Sequence, residues 1–257
     1  MYDISQKNVV QVWRDDSDTL LIVFSGIFAI AGVAPFDFLK ETDYQRSNLI
    51  YFKDFYRSGY KLGVSEGLPS LAKIIEFCKT KIKEHEIRNV AVLGASSGAL
   101  PALVCAHESE ASLAWGLGPR TPKDNLLKPM SHKGRPFNRW IELKISVYQK
   151  IAKLLNRRAK DWFVDRYMDR DLVDKQIKLL SDFSSKENDR HYRVYSVPDN
   201  KSDTRLAKRI AQCPGITYIP VIVPDDYEGN IVKQSGWDHS VVQAMRLGKG
   251  LKAYMNS

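Results

Sequence analysis

The sequence predicts an α/β protein with a doubly wound, mostly parallel sheet and a helical cap insertion. Three observations support this: short apolar runs rich in β-branched residues recur, helical patterns separate several of them, and one long stretch lacks any strand candidate. The predicted strands are, in chain order, 9–13, 20–24, 49–52, 90–93, 112–115, 192–197 and 217–223.

Three stretches between these strands have helical periodicity. After Pro69, apolar residues recur three and four apart and predict a helix that ends before the strand at 90–93. A second helix is expected to leave Gly98, and a third to cover 204–212. Strands that alternate with helices favour a parallel sheet.

Length and composition fit one well-buried domain, or a domain with a small excursion. The chain has 257 residues, of which 44% are hydrophobic and 27% charged, and these values exclude a disordered or collagen-like chain. The three cysteines form no C-x-x-C pair and are predicted to be buried thiols in a reducing compartment. Residues 1–7 are not followed by the apolar run of a signal peptide, so a cytoplasmic location is expected.

Two charge-free stretches of 18 residues, 19–36 and 89–106, raise the alternative of membrane-spanning segments. Each carries Gly and Ser within the run and a Pro near or inside it. Parallel strands that are covered on both faces produce similar continuous apolar runs. We therefore interpret both stretches as a strand followed by a turn and a helix in a soluble protein.

The stretch Gly94-Ala95-Ser96-Ser97-Gly98 matches G-x-S-x-G, the pattern of a nucleophile elbow. A buried strand precedes it and an apolar helix follows it, which is the context that this motif requires. Ser96 would then stand at a sharp turn with its hydroxyl exposed at a helix N-terminus. The alternative is a tight strand-to-helix turn without chemistry.

A serine nucleophile needs a base and a group that orients the base. His239 is the candidate base, because it follows the last predicted strand in a polar loop; an ordinary exposed histidine is the alternative. The acid should follow the penultimate strand, where Asp203 is preferred over Asp199. Asp203 could instead be only a helix N-cap, and Asp199 an ordinary turn residue.

An oxyanion that develops during acyl transfer needs two backbone donors. The N–H of Ser97, directly after the nucleophile, is one candidate. The N–H of Ile27, after the Ser25-Gly26 turn that ends the strand at 20–24, is the other. The alternative is that this turn is merely a strand end.

With these residues in this order, the chain resembles the α/β-hydrolases over about residues 8–119 and 191–257. The resemblance implies a Ser-His-Asp triad, although Ser25-Gly26 stands where the family usually has His-Gly. Residues 48–52, followed by Asp54, Gly59 and Tyr60, and then by Trp115-Gly116-Leu117-Gly118-Pro119, also resemble a bacterial branch associated with cell-surface polysaccharides. That branch includes capsule O-acetyltransferases.

The segment 120–193 carries the whole basic excess of the chain. It holds 19 Lys+Arg and 10 Asp+Glu, and its net charge of +9 equals that of the entire sequence. Residues 120–190 are predicted to form a mainly helical cap, with helical patterns at 141–155 and 162–180, on a core of 1–119 and 191–257. Arg157, Arg158 and Lys160 are candidate substrate-binding residues. A solvated helical face is the alternative.

Three functions remain open at this stage. They are a serine hydrolase acting on an ester or thioester, an O-acyltransferase using the same triad, and a non-catalytic binding protein. A basic cap would attract an anionic acyl substrate, such as an acyl-CoA, an acyl-carrier protein or a polymer-linked acyl group, or contact an anionic membrane or polysaccharide. No metal, cofactor or nucleic acid is expected, because the sequence contains no motif for any of them.

Overall fold

A computed structural model of the chain describes residues 8–26, 47–54, 58–119, 170–181, 190–196, 198 and 201–220. Within these ranges the chain forms seven strands and four helices. The strands are β1 (Val9–Val12), β2 (Thr19–Phe24), β3 (Asn48–Phe52), β4 (Asn89–Ala95), β5 (Leu113–Leu117), β6 (His191–Ser196) and β7 (Ile216–Pro220). The helices are α1 (Leu71–Glu84), α2 (Ala99–Glu108), α3 (Arg170–Ser181) and α4 (Lys201–Ile210).

The seven strands form one sheet in the order β1-β3-β2-β4-β5-β6-β7. Only the pairing of β1 with β3 is antiparallel among these strands. The parallel strands are joined in sequence by helices wherever the connection is described, as the alternating pattern predicts. The predicted α/β sheet is confirmed, and each predicted strand is found with its ends displaced by a few residues.

Both faces of the sheet bear apolar side chains. Leu20, Ile22 and Phe24 of β2 belong to one core cluster, whereas Leu21 and Val23 belong to a second cluster on the opposite face. Because successive side chains of a strand point to opposite faces, a strand covered on both sides reads as one apolar run. This burial explains why the stretch at 19–24 contains no charge.

All four described helices contribute to the first of these two clusters. The contributing side chains are Ile74 and Cys78 from α1, Leu100 and Leu103 from α2, Val173 and Leu180 from α3, and Leu206 and Ile210 from α4. Helix α1 begins where the Ser70 side chain accepts a hydrogen bond from the Lys73 N–H.

The three cysteines are buried thiols, as predicted, and burial raises the pKa of Cys78 and Cys213.

The second charge-free stretch is a strand and a helix rather than one long helix. Residues 89–95 form β4, and residues 99–106 lie in α2. None of the helices within the described ranges is long and apolar enough to cross a membrane.

The basic segment is described only from residue 170 onward in its helical part. Val173 and Leu180 of α3 are buried in the core cluster, and the Arg209 guanidinium pairs with the Asp174 carboxylate between α4 and α3. This end of the segment therefore packs on the sheet core. The helix predicted at 141–155 lies outside the described residues, and the division into core and cap stays a prediction.

Candidate active site

The carboxyl ends of six parallel strands, β2 to β7, meet at one edge of the sheet. Phe24 pairs with Gly94, Gly94 with Gly116, and Gly116 with Val194. The residues that follow each of these six strands consequently start at the same edge. In open α/β sheets, ligands bind in the crevice outside this edge.

Ser96 lies at this edge in a sharp turn between strand and helix. It follows Ala95, the last residue of β4, and opens a single 3₁₀ turn, Ser96–Gly98, that leads directly into α2. Its φ is +54°, which a residue with a β-carbon adopts at a cost of roughly 1–2 kcal/mol. Ser96 is half-buried, whereas Ser97 is 1% exposed. The turn therefore leaves the first serine accessible to solvent and encloses the second.

The two glycines of the motif stand where no side chain fits. A β-carbon on Gly94 would lie 2.1 Å from the Gly98 carbonyl oxygen and 2.5 Å from the Ala102 β-carbon. A β-carbon on Gly98 would lie 2.5 Å from the carbonyl oxygen of Phe24. The first contact lets the helix start close above β4, and the second brings β2 against the turn. The predicted reason for both glycines, a turn too tight for side chains, is confirmed.

The end of β2 reaches the same turn. A β-carbon on Gly26 would lie 3.0 Å from the β-carbon of Ser96 and 3.2 Å from the carbonyl oxygen of Ala95. Ser25 is fully buried, and its N–H donates to the carbonyl oxygen of Phe52 at 3.1 Å. The backbone after β2 thus passes directly beside the candidate nucleophile.

A loop after β3 supports the end of β2. The carboxylate of Asp54, 1% exposed, accepts the N–H groups of Gly59 and Tyr60 at 2.7 and 3.2 Å. The Tyr60 hydroxyl lies 3.0 Å from the carbonyl oxygen of Ser25. Asp54, Gly59 and Tyr60 were singled out in the sequence only through a resemblance to a bacterial branch, and their spacing did not predict the contact with Ser25.

Asp203 lies in the first turn of α4 and is 3% exposed. Helix α4 begins two residues earlier, at Lys201, so the alternative that Asp203 is the N-cap is wrong. A carboxylate in a first turn still interacts favourably with the helix dipole. This local role remains the alternative to a catalytic one.

Three hydroxyl groups fix the start of α4 to the end of β6. The Ser196 Oγ lies 2.9 Å from the Thr204 Oγ1 and 3.2 Å from the Tyr218 hydroxyl. Ser196 ends β6 and Tyr218 belongs to β7, while Thr204 directly follows Asp203 in α4. The first turn of α4 is therefore attached to the sheet edge where Ser96 lies.

The other predicted site residues lie outside the described residues. They are the base His239, the alternative acid Asp199, the oxyanion donor Ile27, and the basic residues Arg157, Arg158 and Lys160. The structure brings together Ser96, Ser97 and the Ser25-Gly26 turn, and it places Asp203 in the first turn of α4, beside Thr204, whose hydroxyl contacts Ser196 at the end of β6. Within the described ranges, no group of three His, Cys, Asp or Glu side chains is arranged to hold a metal ion.

The sequence matches no family model and no curated protein. Solved structures nevertheless share its fold. An α/β hydrolase enzyme from the metagenome of sediments of the Mar Chica lagoon, Morocco, is similar at a TM-score of 0.50 and 12% identity, over 96% of this chain and 94% of that one. The capsule O-acetyltransferase of Neisseria meningitidis serogroup A is similar at a TM-score of 0.51 and 10% identity, over 96% and 91%. At these identities the likeness concerns the fold.

Proposed function

Since the chain has the α/β-hydrolase fold, we propose that it is a serine hydrolase that cleaves an acyl ester or thioester through an acyl-enzyme on Ser96. The observation that carries the proposal is the left-handed backbone of Ser96, at φ +54°, in a turn enclosed by Gly94, Gly98 and Gly26. Strained conformations of this kind concentrate at functional sites, where the surrounding structure maintains them.

The reaction follows from the proposed roles. His239 accepts the hydroxyl proton of Ser96 as the Oγ attacks the acyl carbonyl carbon. The N–H groups of Ser97 and Ile27 stabilise the oxyanion of the tetrahedral intermediate. The intermediate collapses, and the alcohol or thiol leaves with the proton from His239. A water then loses a proton to His239 and attacks the acyl-enzyme, which releases the carboxylic acid and restores Ser96.

We assign the third position of the triad to Asp203, with Asp199 as the alternative. A buried carboxylate at the end of the penultimate strand fits the order Ser…Asp…His of this fold. Its role would be to orient the imidazole of His239 and stabilise its charged form. The attachment of α4 through Ser196 and Thr204 supports this assignment, because it fixes the backbone next to Asp203.

A second candidate is an O-acyltransferase that uses the same residues. It is favoured by the similarity in fold to a capsule O-acetyltransferase. In that case the hydroxyl of a polysaccharide or another acceptor replaces water in the second step. A non-catalytic binding protein with this fold is the third candidate, and it requires that Ser96 be unreactive.

The proposed substrate is anionic. Residues 120–193 carry a net charge of +9 and the rest of the chain is neutral. A segment of one sign concentrates ligands of the opposite sign near it. An acyl-CoA, an acyl-carrier protein or an acidic polysaccharide has the required charge.

Intact-mass analysis tests the proposal and separates the three candidates. One sample of the protein is incubated with a fluorophosphonate and separate, untreated samples with a panel of acyl esters, acyl-CoAs and acyl-carrier thioesters, with Ser96→Ala as the control. The proposal predicts one adduct on the wild-type protein and none on the control. Release of the acyl group by water identifies a hydrolase, and release only by an added sugar identifies a transferase. Absence of every adduct would identify a binding protein.

A further inference from the structure

Tyr60 is held in an unusual backbone conformation by a buried carboxylate. Gly59 and Tyr60 both have φ of +65°, and Tyr60 is fully buried. Glycine adopts this region freely, whereas Tyr60 does so at a cost, because its β-carbon makes the region unfavourable. The Asp54 carboxylate accepts both of their N–H groups, at 2.7 and 3.2 Å. These charge-assisted hydrogen bonds stabilise the turn and fix the direction of the tyrosine ring.

The ring places a hydroxyl between the ends of β2 and β3. The hydroxyl lies 3.0 Å from the Ser25 carbonyl oxygen and 3.1 Å from the Phe52 carbonyl oxygen, and it donates its single proton to these two acceptors. The Ser25 Oγ lies 3.4 Å from it. The ring itself packs edge-on against Phe24, with centroids 5.1 Å apart. Tyr60 thus contacts the last residue of β2 and the residue that follows it.

The Ser25 carbonyl belongs to the peptide unit that joins Ser25 to Gly26, and Gly26 lies beside Ser96. A peptide unit is planar, so a fixed carbonyl oxygen fixes the plane of the bond between Ser25 and Gly26. Gly26 in turn approaches Ser96 so closely that a β-carbon on it would lie 3.0 Å from the Ser96 β-carbon. The series of contacts runs from Asp54 through Tyr60 and Ser25 to the side of Ser96.

We propose that Tyr60 is a positioning residue: its hydroxyl holds the Ser25-Gly26 peptide beside Ser96, so that the backbone at the end of β2 supports the oxyanion stabilisation of the proposed reaction. This inference rests on the proposed function. It assigns a role to the Asp54 and Tyr60 positions, which the triad does not use. The α/β-hydrolases usually have a histidine where this chain has Ser25. The Tyr60 hydroxyl holds the backbone carbonyl of Ser25, and this support does not require a histidine side chain at that position.

The hydroxyl remains a donor over the working range of such an enzyme. Burial in the first place, and the negative charge of Asp54 in the second, raise the pKa of Tyr60 well above its ordinary 10.0. The contact with Ser25 therefore persists wherever His239 would act as a base.

The test compares Tyr60→Phe with Tyr192→Phe. Tyr192 is a matched control, because it is 1% exposed and its hydroxyl donates to a backbone carbonyl, that of Ala111, at 3.0 Å. It belongs to the start of β6, at the sheet edge opposite to Ser96. Each variant loses one buried hydroxyl that donates to backbone carbonyl oxygen and retains its ring. Activities are referred to the concentration of Ser96 titrated by fluorophosphonate, so that unfolded molecules do not count.

Tyr60→Phe is expected to lower kcat roughly 10- to 100-fold with little change in KM, as a small misplacement of a catalytic group does. Its affinity for an aryl trifluoromethyl ketone, whose adduct on Ser96 carries the oxyanion, should fall by the same factor. Tyr192→Phe should leave both quantities unchanged. If Tyr60→Phe yields no folded protein, Asp54→Asn takes its place, because it weakens the acceptor that holds the ring; a smaller parallel loss in kcat and ketone affinity is then expected.

Three results would overturn the inference. They are an unchanged kcat in the folded Tyr60 or Asp54 variant, an equal loss in Tyr60→Phe and Tyr192→Phe, and a loss of kcat without loss of ketone affinity. Failure of the proposed function has a different signature. In that case the wild-type protein itself forms no adduct on Ser96, and the positioning role falls with it.

Discussion

Gly26 and Ser96 belong to turns that follow neighbouring parallel strands, and a β-carbon on Gly26 would lie 3.0 Å from the β-carbon of Ser96. The register makes this contact unavoidable, because Phe24 of β2 pairs with Gly94 of β4. Gly26 and Ser96 each lie two residues beyond this pair, and they therefore lie beside each other at the carboxyl ends of the two strands. The close approach is the geometry that a second oxyanion donor needs, since it brings backbone from β2 within reach of a group attached to Ser96.

Gly26→Ala should therefore impair catalysis more than folding. The added methyl group meets Ser96 and the Ala95 carbonyl oxygen at 3.0 and 3.2 Å, so the end of β2 must retreat by a few tenths of an ångström. We expect kcat to fall roughly 10- to 100-fold. Gly67→Ala is the control, because a β-carbon there meets nothing within 4 Å. Steady-state kinetics and urea unfolding of both variants check the prediction, and equal kinetics would contradict it.

Ser96→Ala and Ser96→Gly should be equally inactive but differ in stability. Removal of the hydroxyl should lower turnover by about four to six orders of magnitude in both. At φ +54°, alanine keeps the unfavourable contact of the β-carbon with the backbone, whereas glycine has none. Ser96→Gly should consequently be more stable than Ser96→Ala by about 1 kcal/mol. Urea unfolding measures the difference, and a less stable glycine variant would show that the turn is not strained.

Asparagine substitutions separate the two candidate acids. If Asp203 orients His239, Asp203→Asn should reduce turnover by about 10³- to 10⁴-fold, because the amide favours the wrong imidazole tautomer. If Asp203 only interacts with the helix terminus, the same change should cost little turnover and a few tenths of a kcal/mol to about 1 kcal/mol of stability. A large loss in Asp199→Asn beside a mild one in Asp203→Asn would assign the role to Asp199. Kinetics and unfolding are measured on both variants.

Charge reversal tests the anionic substrate. Arg157, Arg158 and Lys160 changed together to Glu should lower kcat/KM for an anionic acyl substrate and leave hydrolysis of a small neutral ester nearly unchanged. Raising the salt should have the same effect on the wild-type protein and less on the variant, since such attraction is screened over about 10 Å at 0.1 M ionic strength. Equal losses for both substrates would indicate a structural segment, and no loss a solvated face.

Tyr51 and Tyr60 should make the protein lose stability in alkali. Burial raises the pKa of both hydroxyls above their ordinary 10.0, and the charge of Asp54 raises that of Tyr60 further. Above about pH 10 the unfolded chain releases these protons and the folded chain keeps them. The free energy of unfolding should then fall with rising pH, by about 1.4 kcal/mol per pH unit for each tyrosine. Urea unfolding of Tyr60→Phe should show a shallower decline, and an identical slope would contradict the assignment.

The strands and the elbow could be predicted from the sequence because their signals are local. A run such as residues 20–24 is apolar without interruption only when both faces are covered, and the glycines of 94–98 have one strong structural reason. The mostly parallel arrangement of the sheet was also predicted, from the alternation of strands and helices, whereas the order of its strands was not. A helical stretch was predicted at 162–180, and its described part forms α3 (Arg170–Ser181). The packing of α3 against α2 was not predicted, because contact between distant helices leaves no local pattern.

The support of the site could not be predicted for the same reason. The contact from Tyr60 to Ser25 joins residues far apart in sequence and depends on two residues with positive φ, of which only Gly59 gives a sequence signal. The start of α4 was placed at residue 204, three residues late, because Lys201, Ser202 and Asp203 read as a polar turn. Asp203 was for that reason interpreted as a possible cap rather than as a residue inside the first turn.

The central place of β4 in the sheet would link the proposed activity to the completion of folding. On one side of β4, Thr19 of β2 pairs with Asn89 of β4. On the other side lies β5, whose Leu113 pairs with His191 of β6. The strands around Ser96 therefore come from segments that are distant along the chain. Loop closure on this scale slows folding, and it must precede any correct geometry at the elbow. Reactivation after denaturant dilution should accordingly coincide with the slowest structural phase, so that recovered turnover reports the last event of assembly rather than the first.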